Sequence, residues 1–154
     1  MLMLGTIHIT LAITALAVGA AMFLQGKGGR RHRKFGYLYS GALLLVNLSS
    51  MLVYQDSAGP GPFHILALVS LATLSAGVVP AIVRTPRKAW LNRHAYFMSW
   101  SYVGLVAAGV GQMATKISDL PGVIAVGLPS VVIVLVGAVL IHTRVPQVLR
   151  LRVG

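Results

Sequence analysis

Five histidines stand in a 154-residue chain that has no cysteine, no glutamate and only two acids, Asp56 and Asp119. A neutral imidazole ligates metals and haem iron, and it exchanges protons near neutral pH. Four of the five recur in matched surroundings. Ile7-His8-Ile9 and Phe63-His64-Ile65 each open an apolar segment that contains a glycine, Gly19 or Gly77. Each segment leads into a basic stretch with a second histidine, Arg31-His32 or Arg93-His94, and then into another apolar segment with aromatics at its start. The pattern is that of a duplicated two-helix hairpin, about 5–55 and about 61–114. Packing of the two halves is expected to bring His8 to His64 and His32 to His94. His142 closes a fifth apolar segment outside the duplication.

Three chemistries suit such histidines. In the first, imidazoles from two helices ligate a b-type haem from opposite faces, for electron transfer across the membrane. His8/His64 then hold an outer haem and His32/His94 an inner one, with Arg31, Arg33 and Arg93 near the inner propionates. In the second, histidines hold zinc or copper, as in a metal transporter or a zinc-dependent lipid hydrolase. There His32, His94 and His142 form an inner three-histidine site with one position open to water. In the third, they make helix-to-helix contacts in a non-catalytic accessory or assembly subunit. Other enzyme classes fall away. Two aspartates and no glutamate disfavour paired-carboxylate hydrolysis. There is no cysteine nucleophile and no Gly-x-Ser-x-Gly elbow. Gly26-Lys27-Gly28-Gly29 lacks the spacing of a phosphate-binding loop.

These histidines are positioned by membrane-spanning helices. Hydrophobic residues make up 56% of the chain and charged residues 10%, against roughly a quarter charged in soluble domains. Five runs, 2–24, 35–55, 63–83, 95–114 and 122–143, reach the roughly 20 apolar residues that a bilayer requires. The expectation is an all-α integral membrane protein, a single domain over 1–154. Segments 1–4 form a four-helix bundle related by a two-fold axis along the membrane normal, and segment 5 is an addition at its flank. No alternation of the β-barrel kind occurs.

Twelve of the thirteen basic residues fall on one side of this arrangement. They are Lys27, Arg30, Arg31, Arg33 and Lys34 after segment 1; Arg84, Arg87, Lys88 and Arg93 after segment 3; and Arg144, Arg150 and Arg152 after segment 5. Lys116 and both aspartates lie on the other. The positive-inside rule puts the N-terminus outside and the C-terminus in the cytoplasm, as expected of a multi-pass protein of a bacterial inner (plasma) membrane. The first segment reads as an N-out anchor rather than a cleaved leader. The net charge of +11 is then explained by topology and by anionic lipids at the cytoplasmic face, without nucleic acid. Whether the chain forms a homo-oligomer or meets a redox partner stays open.

Local chemistry refines this picture. Pro62 suits a helix start, Asp119 a helix N-cap, and Thr85-Pro86 a helix end. Pro80 and Pro129 sit inside segments as expected kinks. The stretch 144–154 reads as a basic surface tail. Around His8 and His64 the candidate neighbours are Asn47, Tyr54, Asp56 and Gln112. On a helix His94, Met98 and Ser101 share one face, as do His32, Gly36 and Tyr39. The cations around His32 favour its neutral, ligating form. Gly19, Gly77 and Gly109 are candidates for opening a flat cofactor slot, and Gly104, Gly109 and Gly111 for close helix packing.

The stretch from His32 through Arg33-Lys34-Phe35-Gly36-Tyr37-Leu38 to Tyr39, with Phe63-His64, Arg93-His94, Met98 and Ser101-Tyr102, resembles a family of small bacterial polytopic membrane proteins of uncharacterised function. The resemblance covers about residues 5–115. It implies a multi-helix inner-membrane protein with recurring histidines. The layout is also similar, in architecture alone, to the two-haem membrane b-type cytochromes, whose histidine pairs sit at opposite sides of a four-helix bundle.

Overall fold

The structure, a computed structural model, describes residues 2–52, 62–84 and 89–150. Tyr54, Asp56, Thr85-Pro86, Arg87, Lys88 and Arg152 lie outside the described residues. Five helices follow one another: α1 (Leu2–Leu24), α2 (Arg30–Leu52), α3 (Pro62–Val83), α4 (Trp90–Ile117) and α5 (Gly122–Arg150). No strand occurs among the described residues. Four of the helices, α1, α2, α3 and α5, are long and apolar enough to cross a membrane. The fourth is long enough at 28 residues. Its first half, however, carries Tyr96, Ser99, Trp100, Ser101 and Tyr102, and these dilute an otherwise apolar run.

Helix ends depart from the apolar runs in a consistent direction. α2 begins at Arg30 and α4 at Trp90, so His32 and His94 stand on helices rather than in loops. α5 continues to Arg150, through the stretch expected to be a surface tail, with Pro146 inside it. Ile141 and Val145 are buried there. Hydropathy stops at a charge, whereas a helix stops where its backbone hydrogen bonds stop, and a terminal Arg or Lys extends into the polar interface without breaking them.

The ends themselves have physical causes. α3 starts at Pro62, where a missing N–H costs nothing. It ends on Arg84, which adopts the left-handed conformation at φ 55° and donates its N–H to the Pro80 carbonyl at 2.8 Å. Past the end of α1, the Lys27 ammonium donates to the Met22 carbonyl and lies 5.4 Å from the centre of the Phe23 ring. It thereby places a cation at a helix C-terminus. Gly28 turns the chain at φ 83°. Asp119 does not cap α5. The first N–H groups of that helix, Ile124 and Ala125, bond to the Pro121 carbonyl at 2.8 and 3.0 Å, so the N-cap position is Pro121.

The chain divides into two compact units, Met1–Leu71 and Ala72–Gly154. In the first, α1 packs along α2. His8 meets Ser49, while Gly36 lies 3.8 Å from the Met22 methyl at the position a Cβ would take, so residue numbers rise along one helix as they fall along the other. The pair is antiparallel. Tyr39, Ala42, Leu43, Val46 and Asn47 form the buried stripe of α2 at helical spacing. Ala15 and Val18 are buried on α1. Ile9, Ile13, Leu45 and Leu48 are exposed, as lipid-facing side chains are.

In the second unit, α4 and α5 are antiparallel on the same argument. Val103 opposes Gly137, Ala107 opposes Ser130, and Gly111 opposes Val126. A Cβ on Gly137 would stand 2.6 Å from both γ-carbons of Val103, and one on Gly111 would stand 3.0 Å from a γ-carbon of Val126. Without lipid-driven hydrophobic attraction between helices, such close backbone approach supplies the packing energy. Of the glycines expected to allow close packing, Gly111 does so, while a Cβ on Gly104 would meet nothing within 4 Å.

Candidate functional site

His8 lies two turns into α1 and reaches across to α2. Its Nδ1 is 2.8 Å from the Ser49 hydroxyl. That hydroxyl donates its single proton to the Val46 carbonyl at 3.0 Å. Its oxygen is therefore the acceptor, and Nδ1–H of His8 is the donor. The remaining lone pair of the ring sits on Nε2. Ser49 and Asn47 are buried at 7% and 4% exposure, turned inward from the hydrocarbon as polar side chains of membrane helices are. The side-chain amide nitrogen of Asn47 is buried and has no hydrogen-bond partner among the described residues. Asn47 was one of four candidate neighbours, and the residue bonded to His8 is Ser49, half a turn farther along α2. A reflection about the 25–29 turn points to this region of α2.

His94 repeats the arrangement in the second unit. Its Nδ1 is 2.9 Å from the Gly77 carbonyl oxygen. A carbonyl only accepts, so Nδ1 carries the proton here too and the lone pair again falls on Nε2. Pro80 lies inside α3 and has no N–H, so the carbonyl left without its intrahelical donor is that of Ala76, one residue before the Gly77 carbonyl that His94 engages. Met98, one turn on, packs on the same glycine: a Cβ there would stand 2.9 Å from the Met98 sulfur and 3.1 Å from its backbone nitrogen.

Gly77 therefore does not open a cofactor slot, because Met98 fills the space. The shared face expected of His94, Met98 and Ser101 is present. Ser101 is 2% exposed and donates to the Met98 carbonyl at 2.8 Å. The two units also exchange roles at this level. In the first, Met22 of α1 lies against Gly36 of α2; in the second, Met98 of α4 lies against Gly77 of α3. Gly36 follows His32 by four residues, as Met98 follows His94.

The other histidines are placed as follows. His32 stands in the first turn of α2, half-buried, while Arg31, Arg33 and Lys34 around it are exposed. It is thus set apart from the cations that flank it in sequence. His64 is half-buried in the first turn of α3. His142 lies on α5 with its ring centre 5.8 Å from that of Tyr96, the planes inclined at 52°. Arg93 is exposed beside His94. Among the described residues no group of three or more histidine or acidic side chains is arranged to hold a metal ion, so the water-ligated three-histidine centre finds no support.

The arrangement offers two imidazoles whose anchored nitrogen is Nδ1, held by a neighbouring helix. That is the usual second contact of a ligating histidine, and it is equally an interhelical tie. Sequence reasoning missed both anchors, Ser49 and the Gly77 carbonyl.

Residues 5–150 match the model of a family described as "Predicted membrane protein (DUF2306)", and the chain belongs to that family. Neither the curated proteins nor the solved structures provide a match.

Proposed function

We propose that this member of a membrane-protein family binds b-type haem and passes electrons through the bilayer. The observation that carries the reading is the tautomer of His8 and His94: each ring gives its Nδ1 proton to a neighbouring helix and keeps a lone pair on Nε2. In the first unit, His8 with His64 is the proposed axial pair. In the second, His94 is held through Nδ1 in the same way and is the proposed ligand, with Arg93 next to it in sequence for a propionate. When bound, a haem iron between two imidazoles supplies one-electron transfer without needing an open coordination position. The protein's own part is to hold each ring by its Nδ1 contact, to bury the ligand nitrogens and to exclude water.

All five helices are taken as spans in this reading, α4 included, with the N-terminus outside and the C-terminus in the cytoplasm of a bacterial inner membrane. The twelve-to-one distribution of basic residues supports that orientation. The test is an absorption spectrum of the protein purified in mild detergent, before and after dithionite. A Soret band that sharpens and shifts on reduction, and weakens in His8→Ala or His64→Ala, is the expected result. His142→Ala should leave it unchanged. A colourless protein carrying stoichiometric zinc or copper would move the reading to a metal-site protein.

A second reading has its own observation. His8 and His94 each bond across a pair of helices, as interhelical ties do. A colourless, metal-free protein destabilised by His8→Ala and His94→Ala would establish it as an accessory or assembly subunit.

A further inference from the structure

A cleft of about 440 Å³ lies within the second unit, lined by Ser75, Ala76, Val79 and Pro80 of α3 and by Arg93 and Phe97 of α4. Its size falls within the range of small-ligand sites. The link from Val83 to Trp90 is short, so α4 runs back along the end of α3. Pro80 and Arg93 therefore lie toward the loop end of the cleft, and Ser75 and Phe97 lie deeper. The walls are mainly apolar. The single full charge is the Arg93 guanidinium, which is exposed. No carboxylate pairs with it among the described residues, where Asp119 lies beyond the far end of α4. Arg84 follows directly after α3, four residues beyond Pro80. Ile82 and Val83, at 64% and 62% exposure, continue the apolar surface beside it.

One planar cation at the mouth of an apolar cleft complements a molecule with one anionic head and a hydrocarbon tail. We propose that the cleft between α3 and α4 is a binding site for an anionic phospholipid. The phosphate diester takes the Arg93 guanidinium through paired N–H···O bonds, which Arg forms and Lys does not. The first acyl methylenes follow Val79, Pro80 and Phe97. Basic pockets between membrane helices hold phosphate headgroups in this way. The haem reading and this one draw on the same Arg93 guanidinium, so a lipid retained by protein that carries no haem separates them.

The test is native mass spectrometry of the full-length protein, released from mixed micelles holding equal phosphatidylglycerol and phosphatidylcholine. The expected result is one retained phosphatidylglycerol. Arg93→Gln should weaken its retention about fivefold, the effect of one Lys or Arg charge at an anionic membrane surface. Arg93→Lys should recover only part, and Arg150→Gln on α5 should have no effect. Circular dichroism and elution volume confirm that each variant is folded. Equal retention of phosphatidylcholine, or loss of lipid in Arg150→Gln as large as in Arg93→Gln, would overturn the proposal in favour of unspecific annular lipid. Displacement by millimolar inorganic phosphate would overturn it in favour of a small-anion site.

Discussion

Replacing Gly137 with alanine should pry α5 away from α4, and the structure sets the size of the effect. The new Cβ would stand 2.6 Å from both γ-carbons of Val103 and 3.2 Å from its Cβ. Carbon atoms attract best at about 3.5–4.0 Å, so the shortfall is roughly 1 Å on two contacts at once. Valine in a helix keeps one χ1 rotamer about 90% of the time, so Val103 cannot swing clear cheaply. Forcing it off-rotamer costs about 0.5–1.5 kcal/mol, and overpacking that shifts the backbone costs about 1–3 kcal/mol. Gly137→Ala is therefore expected to destabilise the protein by about 1–3 kcal/mol. Val103→Ala deletes both γ-carbons and should accommodate the alanine, leaving a single contact that needs only a few tenths of an ångström of relaxation. Equilibrium unfolding from mild detergent into sodium dodecyl sulfate, followed by circular dichroism, measures the four corners of the double-mutant cycle. A cost below about 0.5 kcal/mol for Gly137→Ala, which is the scatter of an unremarkable surface change, would refute the α4–α5 seam described above. So would additivity of the two substitutions.

Three further outcomes follow from the same contacts. His94→Ala should cost about 0.6–1.7 kcal/mol in that assay, the measured scale of interhelical hydrogen bonds in membranes. A cost indistinguishable from zero would show that the His94–Gly77 bond adds nothing to stability. His8→Ala and Ser49→Ala should destabilise by similar amounts and be strongly non-additive, because they remove the same bond; simple additivity would show the bond to be absent. Accessibility labels at Gly28 and at Leu120 should report opposite sides of the membrane, with Gly28 cytoplasmic; labelling from the same side would sink the five-span topology.

The apolar runs were legible because the bilayer imposes length and composition on each helix separately. Starts at Leu2, Pro62 and Gly122 fall within a residue of where hydropathy places them. The starts at Arg30 and Trp90, and the end at Arg150, were not legible. There the helix continues into charged residues whose backbone bonds hydropathy does not register. The stretch from Arg144 read as a surface tail, yet the helix runs on through Pro146. In the candidate site, the face shared by His94, Met98 and Ser101 was readable from spacing alone. That Gly77 would be filled by Met98 instead of opening a slot was not.

The sequence by itself determined that this is a membrane protein of apolar helices, that its cations cluster after alternate segments, and that its histidines recur in a duplicated pattern. Each of these is a local property of a segment and its solvent. Only the tertiary structure decided which nitrogen of His8 and His94 is the donor, because that depends on the acceptor brought alongside. Ser49 lies 41 positions from His8, and Gly77 lies 17 from His94. Their proximity is a consequence of antiparallel register, set in part by where Gly77 and Gly111 let backbones approach, and no single segment encodes it.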